Sequence, residues 1–326
     1  MTVYGIDPSA DDFVVSAYPP TGTPAATFEN TAAGVTAFAA GLPGSGVVVA
    51  VENTGVYSEA LCYALHGAGV PLVLLDPGAI HRAFPGTPKT DALDAAKVAE
   101  YGHRFADRLA RWRPHADAVE QVRVLLATRE QLVGQRTAAS NARRAFARKP
   151  VQVPAATDAL DSVVAHLRAQ VRALEGELRR VIAAHPTLSA GVDLLVGVPG
   201  VGLLLASQMA VLTSGFTEPA EYRPLAQRLG IAPNAHESGR TVRRRPRSRG
   251  YGEAAARKLL YMAARSVRTH NADHRAYFEA KVVAGKPPTL VLNNVSNRIL
   301  RVMCGVLRTG RPYRPDYVGV GPVPVG

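Results

Sequence analysis

Cysteine is nearly missing from this chain of 326 residues, with Cys62 and Cys304 far apart and each inside an apolar stretch. Two such residues cannot frame a disulfide scaffold or supply a cysteine zinc site, and their scarcity fits a reducing compartment. Long apolar runs are missing too, since none approaches the ~18 residues of a membrane span. The N-terminus has no basic segment followed by an apolar run, so no secretion signal is expected. The expectation is a soluble, cytoplasmic protein with no membrane partner. Aromatic residues are only 6% of the chain and few of them interleave with basic ones, so stacking on single strands is expected to be secondary. Basic residues are scarce in one place. Residues 1–100 hold Arg82, Lys89 and Lys97 against ten acids, whereas residues 101–326 hold 35 basic and 16 acidic residues.

What is present follows from those gaps. A hydrophobic content of 47% is that of a folded protein, and a formal charge of +12 favours an acidic partner such as nucleic acid. The charge split points to an acidic module suited to cations, joined to a basic module suited to phosphates.

Along residues 1–112, "VYGID", "FVVSAY", "VVVAVE" and "LVLLD" are short β-branched runs bounded by Gly, Pro and Asp. Helical text such as "SEALCYALHGAG" and "TDALDAAKVAEYGHRFADRL" lies between and after them. The alternation predicts an α/β sheet covered by helices. From about Pro114 the strand signals stop. Within residues 113–185, Leu160, Val164, Leu167, Val171, Leu174, Leu178 and Val181 follow a heptad spacing, which predicts coiled-coil pairing within the chain or between protomers. A helix from Asp117 to about Arg148, cut by "KPVQVP", completes a helical hairpin. Residues 186–326 read as mainly helical and open on "LLVGVPGVGLLLASQMAVL". There Gly200 and Gly202 allow close backbone approach ahead of an apolar helix, in the manner of a helix-hairpin-helix that grips a DNA backbone.

Four acids occupy positions that chemistry can use. Asp7 closes the first strand and Glu52 ends "VVVAVE"; Asp91 and Asp94 stand three apart at a helix start, hence on one face. Capping is the ordinary role of a carboxylate there, and it explains one of the pair but not both. An all-oxygen set of this kind suits Mg²⁺ or Mn²⁺. Asp76, ending "LVLLD", is a strand-end acid that position alone does not separate from the others. His270 and His274 stand four apart on a helix, without metal-binding companions. Ser238 and Gly239 precede a basic run in which Arg240, Arg243, Arg244, Arg245, Arg247 and Arg249 fall within ten residues. Alone, the run reads as a phosphate-gripping loop and the serine as a turn residue.

Taken in order, "GIDPSADDFVVSAY", "VENTGVY", "KTDALDAAKVAEYG", "VPGVGLLLASQMAVL", "RLGIAPNAHESGRTVRRR" and "RSRGYGEAAARKLLYMAARS" resemble the DEDD-type insertion-sequence transposases. That family includes Piv-like DNA invertases and recombinases guided by a bridge RNA. The resemblance spans nearly the whole chain. It implies an RNase H-like (RuvC-like) N-terminal domain, a coiled-coil region and a C-terminal transposase domain. It also implies that Asp7, Glu52, Asp91 and Asp94 hold the metal and that Ser238 attacks DNA to form a phosphoserine. The implied partners are double-stranded donor and target DNA, a guide (bridge) RNA, and further copies of the chain, a homodimer assembling to a homotetramer whose half-sites come from different protomers. Activity would take place at the nucleoid. The family often has Asn where Tyr251 follows "RSRG". Three other classes compete, one of them a catalytically silent RNA-binding module, which fits the charge but leaves the four acids without a purpose. A metal-dependent Holliday-junction resolvase or nuclease would use water, with Ser238 in a binding role. A sugar-kinase or actin-like ATPase would share the "GID" opening but needs a second Gly-rich phosphate loop, which is absent.

Overall fold

The computed structural model describes residues 1–22, 24–86, 90–238, 242–248, 250 and 252–315, with segments 234–238 and 242–247 described by backbone alone. The chain divides into two compact units, Met1–Pro114 and His115–Gly326.

In the first unit, β1 (Thr2–Pro8), β2 (Asp12–Tyr18), β3 (Ala26–Glu29), β4 (Val47–Glu52) and β5 (Leu72–Leu75) form one sheet in the order β3-β2-β1-β4-β5. β2 runs antiparallel to β1 and β3, and β1, β4 and β5 are parallel. This mixed sheet covered by helices is the α/β arrangement that the alternation of strand and helix text predicts. Strands buried on both faces need apolar residues at every position, which is why β4 reads Val-Val-Val-Ala-Val before its glutamate. One face carries α1 (Ala32–Ala40) and α2 (Val56–Gly67) over Ile6, Phe13, Val49 and Val51. The other face carries α3 (Pro77–Ala83) and α4 (Asp91–Arg104) over Val3, Val48, Ala50 and Val73. β3 and α1 are short and alanine-bearing, with little periodicity to show.

The second unit begins with the expected hairpin of α5 (Asp117–Phe146) and α6 (Pro154–Ala183), packed along each other. Arg143 pairs with Asp161 at 3.0 Å near the link, and Arg129 with Glu175 at 2.7 Å farther from it, the register of two antiparallel helices. All seven positions of the α6 seam are buried or half-buried, and Val171, Leu178 and Val181 are the most enclosed. The seam therefore meets α5 of the same chain.

Next come α7 (Pro186–Val196), α8 (Leu203–Leu212) and α9 (Tyr222–Arg228), then β6 (Pro233–Ser238) and β7 (Val242–Ser248), then α10 (Ala254–His270), α11 (Ala272–Val283) and α12 (Pro288–Thr309). α8 is apolar on all sides and is the core of this unit, with Leu205, Met209 and Leu212 buried. Burying each such side chain stabilises by ~1.5–3 kcal/mol. The two strands correct the expectation that strand signals end near Pro114. β7 reads Val-Arg-Arg-Arg-Pro-Arg-Ser, so it carries no apolar alternation by which a strand is recognised. No helix among the described residues is long and apolar enough to cross a membrane.

Candidate active site

Asp7 and Glu52 stand at the C-terminal ends of the adjacent central strands β1 and β4, and Asp91 and Asp94 in the first turn of α4. β1 and β4 pair in parallel through Ile6 and Val51, so Asp7 and Glu52 are the next neighbours across the two strands. Adjacent strands lie about 4.8 Å apart. Alternation puts Val3, Gly5 and Asp7 on one face of β1, and Val48, Ala50 and Glu52 on the same face of β4. That face belongs to α4. A Cβ added at Gly5 would lie 2.2 Å from Ala99 N and 2.3 Å from Ala95 O, so helix backbone touches strand backbone there. A Cβ at Gly102 would lie 2.8 Å from Ala50 Cβ and 3.1 Å from Val3 Cγ1. The helix thus runs counter to β1, its later turns over Val3 and its earlier turns over Gly5. Asp91 and Asp94 each precede by one turn a residue of this packed face, Ala95 and Val98. The first turn of α4, which holds Asp91 and Asp94, therefore lies towards the end of the sheet at which β1 and β4 finish.

Neither aspartate is spent on capping. Thr90 is the N-cap of α4, its side-chain oxygen accepting from Leu93 N–H at 3.3 Å. Asp76, the alternative strand-end acid, does cap: its Oδ1 accepts from Ala79 N–H at 2.7 Å at the start of α3. Asp7, Glu52 and Asp94 are half-buried and Asp91 is exposed. Lys97 donates to Asp94 Oδ1 at 2.7 Å, with both side chains less than a fifth exposed, at 16% and 18%. Sequence reasoning missed this lysine, although its spacing of three from Asp94 is that of a helical ion pair.

The donor set fits a hard divalent cation, since carboxylate oxygens are what Mg²⁺ and Mn²⁺ bind. Thr54 Oγ1, two residues beyond Glu52, is buried without a hydrogen-bond partner among the described residues, which leaves one oxygen near that strand end for a ligand or its water. The side chains do not form a closed cage as they stand. Among the described residues, no group of three or more His, Cys, Asp or Glu is placed to hold a metal ion.

In the second unit, Ser238 ends β6 and pairs in register with Val242 of β7. Arg243 stands opposite Glu237, Arg244 opposite His236 and Arg247 opposite Asn234, so the hairpin backbone sets arginine positions across from the serine's strand. Arg245 lies on the same strand. Arg240 and Arg249, like Tyr251, lie outside the described residues. The roots of the hairpin are tied firmly. Gly250 N–H donates to Gly230 O at 3.2 Å and Glu253 N–H to Arg228 O at 3.1 Å, while the Arg228 guanidinium pairs with the Glu253 carboxylate at 3.2 Å. Asn293 and Asn297, one turn apart on α12, both donate to Ile231 O, at 3.2 and 3.1 Å. Gly252 has φ of +127°, and a Cβ there would meet Arg228 O at 2.2 Å. Such a position admits only glycine.

The two other glycines singled out by sequence differ from each other. Gly200 has φ of +81° and a Cβ there would lie 2.5 Å from Val267 Cγ1, so it serves packing against α10. Gly202 precedes α8 with open space around it and no side-chain cap. His274 bonds the Asn271 side chain through Nδ1 at 3.0 Å, where Asn271 caps α11. Burial, with Arg298 next, holds its pKa below the ordinary value.

Two family models match the chain, a transposase model of DEDD type over residues 4–149 and the model of the IS116/IS110/IS902 transposase family over residues 192–279. Both parts of the chain thus match insertion-sequence transposases. The chain is accordingly a DNA transposase. The pilin gene-inverting protein of Moraxella lacunata is 24% identical over 271 residues, covering 81% of this chain and 80% of that protein. The 42 kDa protein of insertion element IS900 from Mycobacterium paratuberculosis is 26% identical over 347 residues, covering 83% and 85%. Among solved structures, RuvC of T. thermophilus in complex with a Holliday junction substrate matches 34% of this chain and 99% of its own. Its sequence identity is 16% and its TM-score 0.27.

Proposed function

We propose that this transposase is a site-specific recombinase of an insertion sequence that cleaves and rejoins double-stranded DNA through Ser238. What supports this reading is that Asp7 and Glu52 end adjacent parallel strands and that Asp91 and Asp94 lie in the first turn of the helix packed on the same face, with the capping role taken by Thr90. Ser238 Oγ attacks phosphorus, and its bond to phosphorus forms as the bond to one deoxyribose oxygen breaks. The serine proton is lost and the departing oxygen gains one. Attack by another strand's hydroxyl reverses these changes and frees the serine. A serine hydroxyl is a weak nucleophile at neutral pH, so charge must be neutralised around the phosphate. Arg243, Arg244, Arg245 and Arg247 grip flanking phosphates, and Arg240 and Arg249 extend the same basic segment. Asp7, Glu52, Asp91 and Asp94 would hold Mg²⁺ or Mn²⁺, which supplies Lewis-acid polarisation of a phosphate oxygen.

Phosphate contacts position a duplex but carry no sequence information. Target choice on this reading belongs to a bridge RNA that pairs with donor and target, and the surplus of basic residues beyond residue 100 gives it a binding surface. A homodimer assembling to a homotetramer on DNA brings the four strand ends together.

The decisive experiment traps the adduct. Incubation with cognate insertion-sequence ends, followed by denaturation, should leave DNA covalently attached to the wild-type chain and none attached to Ser238→Ala. Protein-free cleaved ends from the wild type would instead establish the water-using resolvase or nuclease. Sequencing the RNA that co-purifies with the chain tests the guide: its absence from active protein would remove the bridge RNA from the mechanism.

A further inference from the structure

A cavity of about 1300 Å³ opens on the second unit, walled by α10, α11 and α12, and the roots of the hairpin, Pro233 and Ser248, stand on its wall. Six cations line it, Arg257, Lys258, Lys281, Lys286, Arg298 and Arg301, and none of its described lining residues is acidic. Among the described residues, only Lys258 of the six has an ion pair, with Glu130 at 2.5 Å. Cations brought together without counter-charge repel one another, so the fold pays to keep this surface, and a polyanion would relieve the repulsion.

A phosphate groove alone would need no exposed rings. Here Tyr222, Tyr261 and Tyr277 line the same cavity. The Arg301 guanidinium lies 4.4 Å over the Tyr222 ring and that of Arg298 lies 4.2 Å over Tyr277. Those two guanidiniums are thereby oriented while their N–H edges remain able to donate. Tyr261 is exposed, and so is Leu290 beside the same cavity, at 37% and 45%. An aromatic face among cations is the combination that binds unpaired nucleotides, because bases in a duplex are already stacked on each other. Sequence spacing hid it, since the tyrosines come from three different helices.

We propose that this cavity is a binding site for a stretch of unpaired nucleotides, with a base stacked on Tyr261 and the phosphates on Lys281, Lys286 and Arg298. It rests on the reading of the chain as a nucleic-acid recombinase, but not on Ser238 as its nucleophile. A strand held there would run to the root of the hairpin that carries Ser238. The strand could be guide RNA or displaced DNA, which share this chemistry.

The test measures binding of the full chain, by fluorescence anisotropy, to a single-stranded RNA, a single-stranded DNA of the same sequence and the corresponding duplex. Loss of one stacked base corresponds to roughly a 5- to 150-fold weakening. Tyr261→Ala should weaken single-strand binding within that range, Tyr261→Phe should restore it, and duplex binding should stay within about twofold. Lys286→Ala should lower the salt slope for single strands by about 0.7. Tighter binding of RNA would identify the guide as occupant, and tighter binding of DNA a displaced strand. Unchanged single-strand binding by Tyr261→Ala, or equal losses on duplex and single strand, would overturn the proposal. Failure of the wild type to bind any nucleic acid would overturn the recombinase reading itself, a separate result. Melting curves of the two Tyr261 variants should match the wild type, as expected of an exposed side chain.

Discussion

Gly5→Ala puts the placement of the acids to a direct test. The new Cβ would lie 2.2 Å from Ala99 N, 2.3 Å from Ala95 O and 2.7 Å from Ala99 Cα. These are backbone atoms of α4, so no side chain can swing aside. Ordinary contact begins at 3.4 Å, and α4 must therefore retreat from the sheet by roughly 1 Å, an overpacking that costs ~1–3 kcal/mol. For a unit of this size the melting temperature should fall by roughly 4 °C for each kcal/mol. The same retreat carries Asp91 and Asp94 away from Asp7 and Glu52. A displacement of that size in a catalytic set costs on the order of 10²-fold in rate. Both quantities are accessible, the first by calorimetry and the second by recombination of a donor–target plasmid pair well below the melting temperature. Gly44→Ala is the control, because a Cβ there meets nothing within 4 Å. If Gly5→Ala melts and recombines like Gly44→Ala, α4 does not position the acids and the site must be redrawn.

Three further outcomes are expected. Gly252→Ala forces a side chain onto Arg228 O at a φ of +127°, so it should destabilise the second unit by ~1–3 kcal/mol in denaturant titrations and reduce adduct formation with Ser238 intact. Lys97→Met leaves the enclosed Asp94 without its 2.7 Å partner; stability should drop by ~1–3 kcal/mol in EDTA and recover in part as Mn²⁺ is added, whereas a melting curve indifferent to Mn²⁺ would speak against Asp94 as a ligand. Burial, reinforced by Glu59, pushes the Cys62 thiol up to about 12 and burial pushes Cys304 up to about 11, from an ordinary 9.0. The folded chain thus holds these protons more tightly than the unfolded chain does. That stability is complete below about pH 9 and is lost as pH rises towards the folded values. Mass spectrometry should accordingly find neither thiol alkylated by iodoacetamide near pH 8 until the protein is denatured.

What the sequence made legible depended on whether a residue's role is set by its neighbours in the chain. Asp7 and Glu52 could be placed because a β-branched run that ends in a carboxylate marks both the strand and its exit. That they face the same helix could not, since it depends on Gly5 and Gly102 admitting α4 to one side of the sheet. Asp76 occupies the same kind of strand end, yet its following Pro77 is a favoured first residue of a helix, a local signal that its carboxylate would cap. The same rule applied to "KTDALD" gives the cap to Thr90, and with it both aspartates become available. β6 and β7 were hidden for another reason. Strands are recognised by the apolar face they bury, and β7 has arginine at four of its seven positions. A strand whose sequence offers so few apolar residues to a core depends on its flanks, and the Asn293, Asn297 and Glu253 bonds lie just outside the hairpin. Losing those bonds should therefore affect the hairpin more than the core. Asn297→Ala, which removes one donor to Ile231 O and the acceptor of the Tyr222 hydroxyl at 2.8 Å, should loosen the root of β6. Amide exchange in β6 should then rise while exchange in α8 stays slow, and equal acceleration in both would mean that the hairpin and core unfold as one.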